Sequence, residues 1–188
     1  RHYGLLANAG RELFETAEGS GVDLLFEASV AGGIPLIRPL RESLAGDRIR
    51  RVTGIVNGTN NYILTRMTEE GSSVDDALAE AQKLGYAGRD PTGDIAGDDA
   101  AAKAAIIASN AFGARVVAGD VYREGIAEIS GQDISSAHDL GYVVKLLAVA
   151  EGQDGEVAVR VHPAMIPVQH PLASVRESFN ALFIEGDA

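Results

Sequence analysis

Cysteine is absent from the chain, which excludes disulfides, thiolate nucleophiles and Cys-ligated zinc and gives no sign of an oxidising compartment. A cytoplasmic setting is the expectation on that ground. Positive charge is scarce as well: 16 Lys and Arg stand against 27 Asp and Glu, a formal charge of −11. A surface of that sign repels phosphate backbones and anionic membranes, so neither nucleic acid nor a membrane is an expected partner. No apolar run reaches the roughly 18 to 20 residues that span a bilayer, and no charged-then-apolar pattern opens the chain. Walker phosphate loops are missing. Gly19-Ser20-Gly21 follows a helical pattern rather than a strand and lacks the third glycine of a dinucleotide loop. The four histidines (His2, His138, His162 and His170) share no metal-ligand spacing. Internal repeats, low-complexity tracts and dividing linkers are also absent.

What is present suits one domain, since 188 residues can bury roughly 70% of their unfolded surface. The chain starts at Arg1 without Met and stops at Ala188 just after a strand pattern, so it is expected to be a piece of something longer. From Asn8 to Glu18, Leu13, Phe14 and Ala17 recur at helical spacing. Val22 to Val30 is apolar and β-rich and predicts a buried strand with Glu27 as its one charge. Ala31-Gly-Gly-Ile-Pro then turns into a helix over Pro35 to Leu44, kinked at Pro39 or starting nearer Arg38. Arg48 to Val56 reads as a strand, Asn57-Gly-Thr as a turn, and Asn60 to Thr68 as a helix burying Tyr62, Ile63, Leu64 and Met67. Ser73 caps a further helix, striped by Ala77, Leu78, Ala81 and Leu84 and ended by Gly85. Short β-rich runs at Val116-Val117 and Val121 to Ile126 precede a polar helix from Asp133 to Leu140. Tyr142 to Ala150 and Val157 to Ile166 form a hairpin, and Phe179 to Ile184 is the last strand. Strands alternate with helices early and cluster late, which predicts an α/β fold with one mixed sheet packed by helices.

The chemistry concentrates between Gly85 and Gly113, where a loop crowded with Gly and Asp runs into a helix made almost wholly of Ala and Ile. Gly97 or Asp98 caps that helix, and Asp99 and Lys103, four residues apart, leave its same face. A Lys in the first turns of a buried helix lies at the rim or is held by carboxylates, of which Asp90, Asp94 and Asp99 are at hand. The plain reading is a helical salt bridge; the functional one is an acid and a base sharing one mouth. Glu27 offers a similar choice. A strand ending in a Gly-rich turn can present several carbonyls to a cation beside one carboxylate, or the Glu can pair with an Arg or with backbone amides. Arg48, Arg50 and Arg51 read as a solvated strand edge or as a phosphate contact.

Taken together, three stretches resemble the central catalytic domain of homoserine dehydrogenase. They are Phe26-Glu-Ala-Ser-Val-Ala-Gly-Gly-Ile-Pro-Leu-Ile-Arg-Pro-Leu, Gly54-Ile-Val-Asn-Gly-Thr-Asn-Asn-Tyr-Ile-Leu, and Gly85-Tyr-Ala continuing through Asp90-Pro-Thr, Asp94 and Gly97 to Asp99-Ala-Ala-Ala-Lys103. The likeness covers nearly the whole chain. It implies NAD(P)H-dependent interconversion of aspartate 4-semialdehyde and homoserine, in threonine and methionine biosynthesis, with Lys103 as the proton donor. It also implies that Asp99, Asp94, Thr59 and Asn57 line the substrate pocket and that Gly85 approaches the NAD(P)H cofactor through its backbone. Glu27 and the carbonyls of Val30, Gly32 and Ile34 match the family's structural sodium site. A homodimer built on the sheet is implied too, which fits an apolar run over Tyr142 to Ala150.

Three departures from the family pattern stand out. Gly88 occupies a position that is usually Glu, and Tyr3 one that is usually Lys. The Rossmann dinucleotide-binding domain is not represented in residues 1–188, which are expected to be the catalytic and dimerisation portion. A non-catalytic oligomerisation or ligand-binding module derived from that domain is the alternative.

Overall fold

The computed structural model describes residues 3–27 and 30–187. Helix α1 (Tyr3–Gly19) starts five residues ahead of the predicted helix and carries a break at Ala9, whose φ and ψ of −123° and 22° are not helical. The segment after it overturns the strand expected at Val22 to Val30. Residues 22–27 belong to no helix or strand, with Val22 and Leu25 exposed, while 28 and 29 lie outside the described residues. β-branched and apolar side chains favour a strand only where a partner edge exists, and no described strand runs beside this one. Beyond the glycine turn, one π-helical turn spans Pro39–Ser43, with Arg38 as its cap, close to the start anticipated from Pro39.

β1 (Arg51–Ile55) leads directly into α2 (Gly58–Glu70), which buries Tyr62, Ile63, Leu64 and Met67 as expected. Ser73 caps α3 (Val74–Leu84) by accepting from the Asp76 amide, and Gly85 ends it. Of the predicted stripe of α3, Ala77 and Ala81 are buried whereas Leu84 is exposed. A short α4 (Thr92–Ile95) precedes α5 (Asp98–Phe112), the central helix, in which Ala100 to Ala102 and Ala104 to Ala108 are buried. The small side chains of its six buried alanines let α5 lie close against the sheet, with Ile106 and Ile107 filling the core beside them. Of the two β-rich runs after it, only Tyr122–Arg123 forms a strand, β2. α6 (Gly131–Asp139) is followed by the long hairpin of β3 (Tyr142–Gln153) and β4 (Glu156–Pro167), and by β5 (Ala181–Glu185).

The five strands form one mixed sheet in the order β2-β4-β3-β1-β5, antiparallel except for the β2–β4 pair. β3 is buried on both faces. Val144, Leu146 and Ala148 join the main core with α1, α2 and α5, while Leu147 and Val149 join a second cluster with Ile55, Ile166 and Leu172. Residues 144–150 of the apolar run are therefore enclosed within the chain, with only Tyr142 exposed at its start, and the composition of the run no longer argues for a dimer. Leu172 belongs to the segment connecting β4 to β5, which crosses the second face and contains a short 3-10 turn, Pro171–Ser174.

Candidate active site

Asn57 stands where β1 becomes α2 and does two jobs with one side chain. Its Oδ1 accepts from the Asn60 amide at 2.9 Å and so caps α2. Its Nδ2 donates to Asp94 Oδ1 at 2.9 Å and to Asp99 Oδ2 at 2.8 Å. Only an amide both accepts and donates in this way; an Asp would cap the helix but repel the two carboxylates. Asn60, fully enclosed, adds a bond from Nδ2 to the Asp94 carbonyl at 2.7 Å. Thr59 Oγ1 donates to the Tyr86 carbonyl at 2.8 Å, fastening the loop after α3 to the first turn of α2.

Asp99 lies in the first turn of α5, where a carboxylate also gains from the helix dipole. Lys103, one turn further on, sets its Nζ 2.8 Å from Asp99 Oδ2 and donates to the Val56 carbonyl at 2.9 Å. An ammonium has three N–H groups, and the third has no partner among the described residues. Burial by itself would push the Asp99 carboxyl up, but the Lys103 charge and hydrogen bonds from Lys103, Tyr3 and Asn57 hold it below the usual carboxylate range. Tyr3 makes a close hydrogen bond from its hydroxyl to Asp99 Oδ1, and its ring centre is 5.2 Å from Lys103 Nζ. Sequence reasoning noted Tyr3 only as a missing lysine, and nothing in its spacing signalled this contact.

The structure thus brings together Lys103, Asp99, Asp94 and Asn57 by direct contact, and Thr59 through the loop next to Gly85. Gly85 has a left-handed φ of 80°, and a Cβ built on it would meet nothing within 4 Å, so its backbone is open to close approach. Gly88 is exposed, and its carbonyl accepts from Gln82 Nε2 at 3.1 Å. Of the arginines read as a solvated strand edge or a phosphate contact, Arg50 and Arg51 are part-exposed and paired with acids, Arg50 with Asp187 and Arg51 with Glu151 at 3.3 Å, which favours the solvated edge.

Glu27 lies apart from this cluster. Its carboxylate accepts the amides of Leu36, Ile37 and Arg38 at 2.5, 2.7 and 2.9 Å. Burial works against its charge, yet the three amides draw the carboxyl below its usual range. The turn beside it is closed by bonds from Val30 N to the Glu27 carbonyl and from Ile34 N to the Ala31 carbonyl, which leave the carbonyls of Val30, Gly32 and Ile34 unused by the turn. The Asn180 amide lies against Gly32, and Asn180 Oδ1 is a buried acceptor with no partner among the described residues. Those oxygens, with one carboxylate, fit a monovalent cation by donor type.

The family model for homoserine dehydrogenase matches residues 35–188. The chain belongs to the homoserine dehydrogenase family. It is 55% identical to the homoserine dehydrogenase of Corynebacterium glutamicum over 98% of this chain and 42% of that protein. The Mycobacterium leprae homoserine dehydrogenase is 56% identical over 98% of this chain and 43% of its own length. Among solved structures, a homoserine dehydrogenase from Thiobacillus denitrificans superposes with a TM-score of 0.94 at 45% identity, covering 98% of this chain and 43% of that one. The chain spans about two fifths of the length of these curated relatives.

Proposed function

We propose that residues 1–188 are the catalytic and dimerisation portion of a homoserine dehydrogenase, interconverting aspartate 4-semialdehyde and homoserine in the cytoplasm as a homodimer. The observation that carries this reading is the Lys103 ammonium, held by Asp99 and the Val56 carbonyl with its third N–H unpartnered among the described residues. NAD(P)H, when bound, supplies the hydride that reduces the aldehyde carbon. As the aldehyde oxygen becomes an alkoxide, Lys103 stabilises the negative charge and then gives it a proton; in the oxidative direction the neutral amine takes the hydroxyl proton back. Asp99 and Asp94 hold the amino group of the substrate, Asn57 sets the spacing between them, and Thr59 lines the pocket wall. Gly85 offers its open backbone to the cofactor. Gly88 and Tyr3, at positions where the family pattern has Glu and Lys, favour the second reading, a ligand-binding module without turnover.

The test grafts this chain into the Corynebacterium glutamicum relative in place of the matching segment and follows homoserine-dependent reduction of NADP. Lys103→Met should lower kcat on the order of 100-fold while changing KM little, as expected of a positioned proton donor. Homoserine binding without turnover in the unmutated chimera would support the second reading instead.

A sodium ion held by Glu27 and the carbonyls of Val30, Gly32 and Ile34 completes the proposal, supported by Asn180 Oδ1, a buried acceptor with no partner among the described residues. Replacing sodium by a bulky organic cation at constant ionic strength should lower the melting temperature by a few degrees. Glu27→Gln should abolish that dependence; an identical sodium response in the variant sinks the idea.

A further inference from the structure

Lys145 is the single charge in the apolar centre of β3, buried to 3% exposure and remote in contact from Lys103. An ammonium is an expensive occupant of such a position, where Leu or Met would pack without desolvation. What it holds is the crossing segment between β4 and β5. Its Nζ donates to the Val175 carbonyl at 2.6 Å and to Asn61 Oδ1 at 3.0 Å. Asn61, enclosed on α2, turns its Nδ2 to three alternate carbonyls of the same segment: Val175 at 3.3 Å, Glu177 at 2.9 Å and Phe179 at 3.3 Å. One amide and one ammonium thus gather residues 175–179 as a strap. Charged groups around it are Glu69 on α2 and Arg176 on the strap, which pair with each other at 3.0 Å, and Arg66, which reaches Glu177 at 3.5 Å.

The strap also bears on the site. A Cβ at Gly58 would come within 2.5 Å of the Ser178 carbonyl oxygen, so the strap lies directly against the backbone between Asn57 and Thr59. On the neighbouring turn, a Cβ at Gly32 would come equally close, 2.5 Å, to Asn180 Nδ2. Any residue larger than Gly at 58 would push the two apart, so the contact requires that glycine.

We infer that Lys145 and Asn61 are positioning residues for the reactive site: they fix the strap, the strap fixes Gly58, and Gly58 sets the Asn57 amide and the Thr59 hydroxyl. The inference rests on reading Asn57 to Thr59 as the substrate pocket. Misplacement of a pocket by about 1 Å is enough to cost a large part of the rate.

Two readouts separate this clamp from the activity it serves. In the 188-residue chain, Lys145→Met should raise hydrogen exchange by about tenfold or more in the strap and in the Asn60 and Asn61 amides together, leaving β2 and β4 unchanged. Asn61→Asp, which keeps the Lys145 contact but turns a carboxylate toward three carbonyls, should do the same and serves if Lys145→Met does not fold. Loosening of the strap alone, or of neither segment, overturns the inference. In the chimera, Lys145→Met should reduce kcat on the order of 10-fold to 100-fold with the KM for NADP unchanged. A variant with the parent's kcat also overturns it. If the unmutated chimera has no turnover, the proposed function fails, and the exchange experiment decides the clamp by itself.

Discussion

At the scale of single residues, the site depends on an amide placed among acids. Asn57 separates Asp94 and Asp99, and Lys103 balances only one of those charges directly. Asn57→Asp keeps the cap, because a carboxylate also accepts from the Asn60 amide, but it gathers three carboxylates at one point. At neutral pH the variant should lose about 1–3 kcal/mol of stability, from the lost donor and the repulsion. The sign with pH follows from linkage. Crowding raises the folded pKa of the new carboxyl above its unfolded value, so the folded variant binds more protons than the unfolded one in that window. Its stability deficit should shrink as the pH falls through the raised pKa, which urea denaturation of both proteins at several pH values will show. A deficit that stays constant between neutral pH and pH 4 would mean that the three groups do not interact.

At the scale of elements, most of the fold was legible because helix signals are local. The caps at Ser73 and Gly85, the stripe of α2 and the Ala-rich body of α5 lie where periodicity and capping put them. The i,i+4 spacing also placed Asp99 and Lys103 together correctly. What failed depended on partners. Residues 22–27 have the composition of a buried strand but no neighbouring edge, and Val121 to Ile126 yields only two residues of strand beside β4. The Asn57 network was half legible, since the turn was placed but the amide's link to two acids 37 and 42 residues away was not. Lys145 carries the same signal as Glu27, one charge inside an apolar run, but its partners, Asn61 and Val175, are 84 and 30 residues away and leave no local pattern. Tyr3 had a signal only through the resemblance, which sets residue 3 where the family pattern has a lysine; a long-range contact from one end of α1 to α5 has no periodicity to betray it.

At the scale of the whole molecule, the second face of the sheet is divided along its length. Its apolar end, at Leu147, Ile55 and Ile166, is covered by Leu172 and Val175 of the chain's own crossing segment. Its other end is open and charged: Arg51, Glu151, Arg160 and Glu185 are between a third and a half exposed, with Arg160 and Glu151 paired at 2.6 Å. A homodimer built on this face would therefore bury ion pairs rather than the apolar run of β3. Pairs of that exposure contribute little singly and are screened by salt. Sedimentation at micromolar concentration should find a dimer in dilute buffer that weakens as salt is raised, and Arg160→Glu, which sets like charges against Glu151, should shift it toward monomer. Substitutions within 144–150 should instead lower stability with no separate effect on association, because those side chains are already buried within one chain. A species that stays monomeric at low salt, or a dimer indifferent both to salt and to Arg160→Glu, would place the subunit contact off this sheet or remove it.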